Sequence, residues 1–160
     1  AAKKVLQYLK ETRDFMLTYR RAKDLQLVGF TDSDFTGCQD DRKSTSGYVF
    51  MMEDGTVSWK TRNNQWFSCS STKAYRALTV TTFELIWLRW LLQDMIICFS
   101  SATPIHCDEC YSNYTHNDVL HEMTKNIKID CHVTRQHLVR GTLKVISVSS
   151  PHQITNIFTK

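Results

Sequence analysis

The stretch GYVFMMEDGTVSWK, residues 47–60, decides the fold class because it reads as two β-strands joined by a tight turn. Asp54-Gly55 lies between the apolar run 47–52 and the run 56–60, and Asp-Gly between two such runs is a strong hairpin signal. A third strand-like run, LQLVGFTD at residues 25–32, precedes them and ends on an acid. Three consecutive antiparallel strands are therefore predicted.

A long helix and an alternation of strands and helices follow this unit. Apolar side chains recur at three- and four-residue steps, or their sums, from Ala74 to Met95, which predicts one long helix. Similar signals predict four later elements: a strand over 103–108, a helix over 131–138 closed by Gly141, a strand over 142–148, and a short helix from Pro151. This order predicts a mixed α/β sheet with helices packed on it.

Composition places the chain among globular proteins. Its 160 residues, 42% hydrophobic and 22% charged, fit one domain with a sizeable core. The most apolar window, 85–99, is interrupted by Arg89, Gln93 and Asp94, so no membrane-spanning segment is predicted. No apolar signal-peptide core opens the chain. The formal charge of +4 permits a nucleic-acid partner without demanding one.

Six cysteines are scattered through strand-like and helix-like segments, which indicates reduced thiols in an intracellular protein. Cys107 and Cys110, followed by His116 and His121, raise the alternative of a zinc site. The gap between the two pairs is only five residues, far shorter than in a zinc finger, and Cys107 lies in a predicted strand. The zinc interpretation is therefore the weaker one.

Seven motifs occur in order along essentially the whole chain: AAKKVLQYLKETRDF (1–15), LVGFTDSDFTG (27–37), DRKSTSGYVFMMEDGTVSWKTRNNQ (41–65), SSTKAYRAL with ELIWLRWLL (70–78 and 84–92), IHCDE (105–109), LHEMTKNIKIDCH (120–132) and VSSPHQITNIFTK (148–160). Together they resemble the ribonuclease H domain of copia-type retrotransposon Pol polyproteins. The resemblance implies a ribonuclease H-like fold over residues 23–160. It also implies that residues 1–22 are a C-terminal remnant of the neighbouring reverse transcriptase or connection segment.

The resemblance implies an endonuclease that cuts the RNA strand of RNA–DNA hybrids by two-metal hydrolysis with Mg²⁺ or Mn²⁺. Hard divalent cations prefer oxygen ligands. The family supplies four carboxylates, from an Asp on the first strand, a Glu on the first helix, an Asp ending the fourth strand and an Asp on the last helix. Asp32 matches the first position and Asp108 the third, so these two residues are the expected metal ligands and catalytic residues.

The two ligands that helices supply in the family are missing. The motif SSTKAYRAL lacks the residue between Ala74 and Tyr75 where the Glu ligand would stand, and Lys73 replaces an earlier Glu. Asn156 occupies the position of the last Asp, as a degenerate catalytic residue. Glu84 lies roughly 15 Å farther along the helix and cannot substitute. We expect weak or absent cleavage, because a misplacement of about 1 Å can cost about 100-fold.

Hydroxyl and cationic side chains in these motifs are candidates for nucleic-acid contacts. The residues predicted to bind the phosphate backbone are Arg42, Ser71, Thr72 and Lys125, with a solvated charged loop as the alternative for the run around Arg42. Trp87 and Trp90 could suggest base stacking. Their place in an apolar helix instead favours core packing or an interface with the reverse transcriptase segment.

The partners implied by the resemblance are an RNA–DNA hybrid or other nucleic acid and the reverse transcriptase segment of the same polyprotein, without a membrane. The implied location is the cytoplasm, within a retrotransposon particle. Two alternatives to a nuclease stay open: a non-catalytic nucleic-acid-binding module, and a structural remnant of a decayed element. Binding to a hybrid with a marked salt dependence would favour the first of these over the second.

Overall fold

The computed structural model describes residues 2–16, 25–34, 44–64, 70–107, 125–149 and 152–159. In chain order these residues form α1 (Ala2–Thr12), β1 (Leu27–Asp34), β2 (Ser44–Met52), β3 (Gly55–Asn64), α2 (Ser70–Asp94), β4 (Thr103–Cys107), α3 (Lys125–Val139), β5 (Leu143–Ser147) and α4 (Asn156–Thr159). The predicted succession of three strands, a long helix and alternating strands and helices is confirmed. Within these ranges no helix is both long and apolar enough to cross a membrane.

The five strands form one sheet in the order β3-β2-β1-β4-β5. β1, β2 and β3 are antiparallel neighbours, whereas β4 pairs with β1, and β5 with β4, in parallel. The predicted mixed sheet is therefore confirmed. The hairpin turn itself consists of Glu53 and Asp54, with Glu53 at a φ of 51°, and Gly55 already begins β3.

One face of the sheet forms the main core with helix α2. Side chains alternate along a strand, so Leu27, Gly29 and Thr31 share this face of β1. Gly29 leaves room for the ring of Phe50, since a Cβ atom at this position would come within 2.6 Å of the Phe50 Cε1 atom. The other buried members of the cluster are Tyr48, Ala77, Leu78, Leu85, Leu88, Leu92, Ile105, Cys107 and Leu143.

Helix α2 runs in the direction opposite to β1. The Thr81 hydroxyl lies 2.9 Å from the Thr31 hydroxyl, and Arg89, two turns later, bonds to Thr103 at the start of β4. Because β4 is parallel to β1, the first turns of α2 extend toward the carboxyl ends of both strands. A residue at the start of α2 can therefore contribute to a site at that edge of the sheet.

The prediction that Trp87 and Trp90 pack in the core is wrong. It was one of two roles predicted for them. Trp87 is 53% exposed and Trp90 is 65% exposed. Helix α2 is apolar on two sides, and the sheet covers only the side that carries Leu85, Leu88 and Leu92. The tryptophans lie on the other side.

The last helix begins later than predicted, at Asn156 instead of Pro151. Pro151 lies outside the described residues, and the backbone N–H of His152 bonds to the Ser149 carbonyl oxygen in a turn. The following side chain, Gln153, is buried and bonds to the backbone of β1. This contact holds the chain against the sheet before helical geometry begins.

Candidate active site

The carboxyl ends of β1 and β4 meet at one edge of the sheet. The two strands are paired in parallel, with Gly29 opposite Ile105 and Phe30 opposite His106. Asp32 follows Phe30 by two residues on β1 and is only 7% exposed. β4 ends at Cys107, the residue before Asp108. Asp108 lies outside the described residues, so its predicted role stays a prediction.

The backbone around Asp32 is held from two sides. In the antiparallel pairing Asp32 stands opposite Gly47 of β2, and Thr31 stands opposite Tyr48. The buried Thr31 hydroxyl lies 2.9 Å from the Thr81 hydroxyl on α2, and it donates a 3.4 Å hydrogen bond to the Gly47 carbonyl oxygen. Since Thr31 faces α2, strand alternation turns Asp32 toward the opposite face. The position of Asp32 is thus determined by both the sheet and the long helix.

Two stacked aromatic rings lie beside Asp32 on the same face of the sheet. The rings of Phe30 and His106 are stacked, with centroids 4.9 Å apart and planes at 21°. Burial, and secondarily the positive charge of Lys144, lowers the pKa of His106, so its imidazole is neutral near pH 7. Among the described residues its buried Nδ1 atom has no hydrogen-bond partner. His106 therefore adds no positive charge next to the strand that carries Asp32.

Asn156 is brought toward β1 by a contact that the sequence did not reveal. The Gln153 side-chain amide donates a 2.9 Å hydrogen bond to the Thr31 carbonyl oxygen, next to Asp32 in the chain. The Asn156 backbone N–H bonds in turn to the Gln153 carbonyl oxygen at 3.2 Å, and α4 contacts β1, β2 and β3. The sequence shows a glutamine three residues before Asn156, but its polar side chain gave no indication that it is buried or which atom it contacts.

The carboxylate of Glu84 is engaged elsewhere. The Ser58 hydroxyl of β3 donates a 2.6 Å hydrogen bond to Glu84 Oε1. Burial first, and then the negative charge and hydrogen bond of Glu84, raises the pKa of Tyr48 to about 12. Glu84 therefore holds α2 against β2 and β3 and does not replace the helix ligand that the resemblance implies.

The edge that carries Asp32 also carries an exposed cation. β3 runs parallel to β1 because each is antiparallel to β2, and Arg62 stands opposite Ser46, which stands opposite Ser33. Arg62 is exposed. At about 4.8 Å per strand, its backbone lies roughly 10 Å from that of Ser33. By this register Arg62 shares the face of Ser33 and Thr31, so the positive side chain lies at the same end of the sheet as Asp32 but on the opposite face.

Several predicted residues are not tested by the described part of the chain. Arg42 lies outside it, and so do the side chains of Ser71 and Thr72 in α2 and of Lys125 in α3. Of the alternative zinc ligands only Cys107 is described, and it is buried in β4. Within the described ranges no three or more His, Cys, Asp or Glu side chains are grouped for a metal ion.

Comparison with known proteins gives relatives that align with the whole chain. It is 34% identical to the retrovirus-related Pol polyprotein from transposon RE2 of Arabidopsis thaliana and 32% identical to that from transposon TNT 1-94 of Nicotiana tabacum, in each case over 100% of this chain. The chain spans only 11% and 12% of the length of these two relatives. A secreted RxLR effector protein 161 of Plasmopara viticola is 42% identical over 55% of this chain and 63% of its own. No family model matches the chain.

Solved structures share the fold of this chain at low sequence identity. LC11-RNase H1 in complex with an RNA/DNA hybrid has a TM-score of 0.59 and 10% identity, over 84% of this chain and 94% of its own. The foamy viral protease-reverse transcriptase in complex with an RNA/DNA hybrid has a TM-score of 0.56 and 11% identity, over 99% of this chain and 25% of its own. At such low identity these likenesses establish the fold alone.

Proposed function

We propose that the chain is the ribonuclease H-like domain of a copia-type retrotransposon Pol polyprotein and that its ancestral activity is metal-dependent cleavage of the RNA strand of RNA–DNA hybrids. We propose further that the loss of two ligands has made this activity weak or absent. The observation that carries the proposal is the parallel pairing of β1 with β4, which brings the strand end bearing Asp32 beside the strand end that precedes Asp108.

The ligands at this edge are oxygen atoms, as Mg²⁺ or Mn²⁺ requires, but there are fewer carboxylates than the four of the family. Asp32 and Asp108 are the carboxylates that would hold the metal, and the Asn156 side chain could add a neutral carbonyl oxygen. A bound divalent ion would activate the attacking water and stabilise the leaving oxygen. With two carboxylates in place of the four of the family, half of the negative charge that attracts the ions is missing.

The chain's own residues have two tasks in this reaction. Asp32, held by the pairing of β1 with β2, presents a carboxylate in a nearly buried position at the sheet edge. Gln153 keeps α4 against β1, so that residue 156 stays near this edge. On this proposal the losses are the charge at residue 156 and the whole residue that would stand between Ala74 and Tyr75, and not the arrangement of the strands.

Removal of Asp32 is expected to abolish whatever metal binding remains. In a thermal unfolding assay, Mn²⁺ should raise the melting temperature of the wild-type protein, because a ligand that binds only the folded state stabilises it. The increment should disappear in Asp32→Asn, and residual hybrid cleavage should disappear with it. Asp14→Asn, which changes an exposed aspartate next to α1, is the matched control and should keep the increment. An unchanged increment in Asp32→Asn would contradict the proposed site.

A second candidate function is a non-catalytic nucleic-acid-binding module, which the exposed Arg62 at the same end of the sheet favours. Together with the neighbouring exposed Lys60, and with the predicted contacts of Arg42 and Lys125, four cations could neutralise phosphates. The logarithm of the hybrid affinity should then fall against the logarithm of salt concentration with a slope of about −3 to −4. Arg62→Ala should lower the size of this slope by about 1. Lys10→Ala on α1 is the control that should leave it unchanged, and a slope near zero for the wild type would leave only a structural remnant.

The remaining partner and the location follow from the same premise. We infer that the chain operates next to the reverse transcriptase segment of its polyprotein, in the cytoplasm within a retrotransposon particle. The similarity to Pol polyproteins supports this inference, because the whole chain aligns with about a tenth of each of these longer proteins. Residues 1–22 as the remnant of that neighbouring segment remain a prediction.

A further inference from the structure

Helix α2 exposes a continuous apolar face on the side away from the sheet. The residues of this outer face, with their exposed fractions, are Val80 (37%), Phe83 (54%), Trp87 (53%), Trp90 (65%) and Leu91 (41%). A helix that is apolar on two sides normally has both of them covered. The sheet and α3 cover the other sides of α2, and the outer face has no cover among the described residues.

The outer face follows a heptad pattern. Val80, Trp87 and Asp94 are spaced by seven residues, and so are Arg76, Phe83 and Trp90. Along the helix the two rows alternate at steps of four and three residues. This is the spacing of positions d and a in a coiled coil. The pattern therefore describes a seam for a second helix, with apolar residues in its middle and one charge at each end.

The seam pairs well with a second copy that runs in the opposite direction, because its charged ends and its apolar residues then face each other. In an antiparallel pair of α2 helices centred near Leu85, Phe83 shares a layer with Trp87 of the partner subunit. Val80, the smallest member, shares a layer with Trp90 of the partner subunit. At the ends, Arg76 meets Asp94 of the partner subunit, and the twofold axis repeats each contact. A parallel pair would instead place like charges together at both ends.

We propose that the outer face of α2 is a homodimer interface in which two copies of this helix pack antiparallel about a twofold axis. The opposite charges of Arg76 and Asp94 select a second copy in this orientation. Three aromatic side chains of about 200 Å² each, exposed by half to two thirds, would bury roughly 700 Å² over both copies. Even with the flanking residues this lies near or below about 1,200 Å², the lower limit of stable interfaces, so the dimer is expected to be weak and reversible.

Sedimentation of the full chain over about 1 μM to about 1 mM, the range of weak association, should show a monomer–dimer equilibrium. Trp87→Glu should raise the dissociation constant by at least about tenfold, because it places a charge in the central layer. Its circular dichroism and melting temperature should stay close to those of the wild type, since Trp87 is half exposed in the monomer. A chain that stays monomeric throughout this range would overturn the proposal.

A charge exchange tests the orientation without relying on the tryptophan. Arg76→Asp should weaken the dimer by placing Asp opposite Asp94 of the partner subunit, and Asp94→Arg should weaken it by the mirror-image repulsion. The double variant R76D/D94R restores opposite charges at both ends and should restore dimerisation. If the double variant is no better than the single ones, the antiparallel arrangement is wrong.

The matched control is Leu9→Glu, which changes a leucine that is 55% exposed on α1. It should leave the dissociation constant unchanged. If it weakens the dimer as strongly as Trp87→Glu does, the interface involves α1 and the proposal fails. If the chain is monomeric and Trp87 fluorescence becomes shielded only in a longer polyprotein, the cover is a neighbouring segment and the proposal is likewise overturned.

Discussion

Restoring the two missing carboxylates should raise hybrid cleavage by at least about 100-fold, the size of effect that correct alignment of reacting groups can have. The repaired chain carries a Glu inserted between Ala74 and Tyr75, together with Asn156→Asp. The new Glu stands three, four and seven residues before Ala77, Leu78 and Thr81 and therefore lies on their side of α2. Thr81 contacts Thr31, the neighbour of Asp32, and the inserted position lies roughly 10 Å farther toward the strand ends.

Each change alone should recover little, because ligands that hold the same ions act as a unit. Three comparisons separate ligand chemistry from folding. Ala74→Glu places the carboxylate before Tyr75 without lengthening the helix. Insertion of Gln instead of Glu gives the same length without the charge. Asp32→Asn in the repaired chain should return cleavage to the starting level.

The repair experiment also locates the error if it fails. A repaired chain that folds, with an unchanged melting temperature and circular dichroism, but remains inert would show that the edge formed by β1 and β4 is not the site. Lys73→Glu in the repaired background tests whether a cation two residues before the new ligand repels the metal. An increase in cleavage with this additional change is expected from the charge alone.

Replacement of Arg89 should cause the largest loss of stability among the single substitutions considered. Its guanidinium lies within hydrogen-bond distance of the carbonyl oxygens of Phe99 (3.0 Å), Ser101 (3.1 Å) and Thr142 (3.1 Å), and of the Thr103 hydroxyl (2.9 Å). It also lies 5.5 Å from the centre of the Phe99 ring. One side chain thus joins α2 to the segment before β4 and to the residue before β5.

Arg89→Met removes the donor and leaves partly buried carbonyl oxygens without one. Hydrogen bonds to charged groups contribute about 1.5–3 kcal/mol each, and partial exposure reduces the sum, so we expect a loss of about 3 kcal/mol. For a chain of this length that corresponds to a fall in melting temperature of about 6–12 °C. Arg89→Lys should recover only a part, because a single ammonium group cannot reach the acceptors of both terminal guanidinium nitrogens.

The control for Arg89 is Arg62→Met, which removes an exposed arginine from β3. Its melting temperature should stay within about 2 °C of the wild type, as for most surface substitutions. Differential scanning calorimetry measures both variants under the same conditions. A change of less than about 2 °C in Arg89→Met would mean that these hydrogen bonds are replaced by water without cost.

Local pattern was sufficient for most of the elements. The alternation around residues 47–60 and the acid that ends the run at Asp32 predicted the hairpin and the first strand, because each depends on neighbours within a few residues. The periodicity of α2 predicted its length and the side that carries Leu85 and Leu88. The parallel pairing of β1 with β4 was decided by the tertiary structure, in which Phe30 pairs with His106.

The sequence by itself determined the order of the elements of this protein, and it predicts Asp32 and Asp108 as ligands and two missing helix ligands. Only the tertiary structure decided that Trp87 and Trp90 lie outside the core, that Arg89 joins three segments, and that Gln153 holds the last helix to β1. The physical reason is the range of the interactions. Periodicity reports which residues share a face, but α2 is apolar on two faces, and only long-range packing determines which of them the sheet buries.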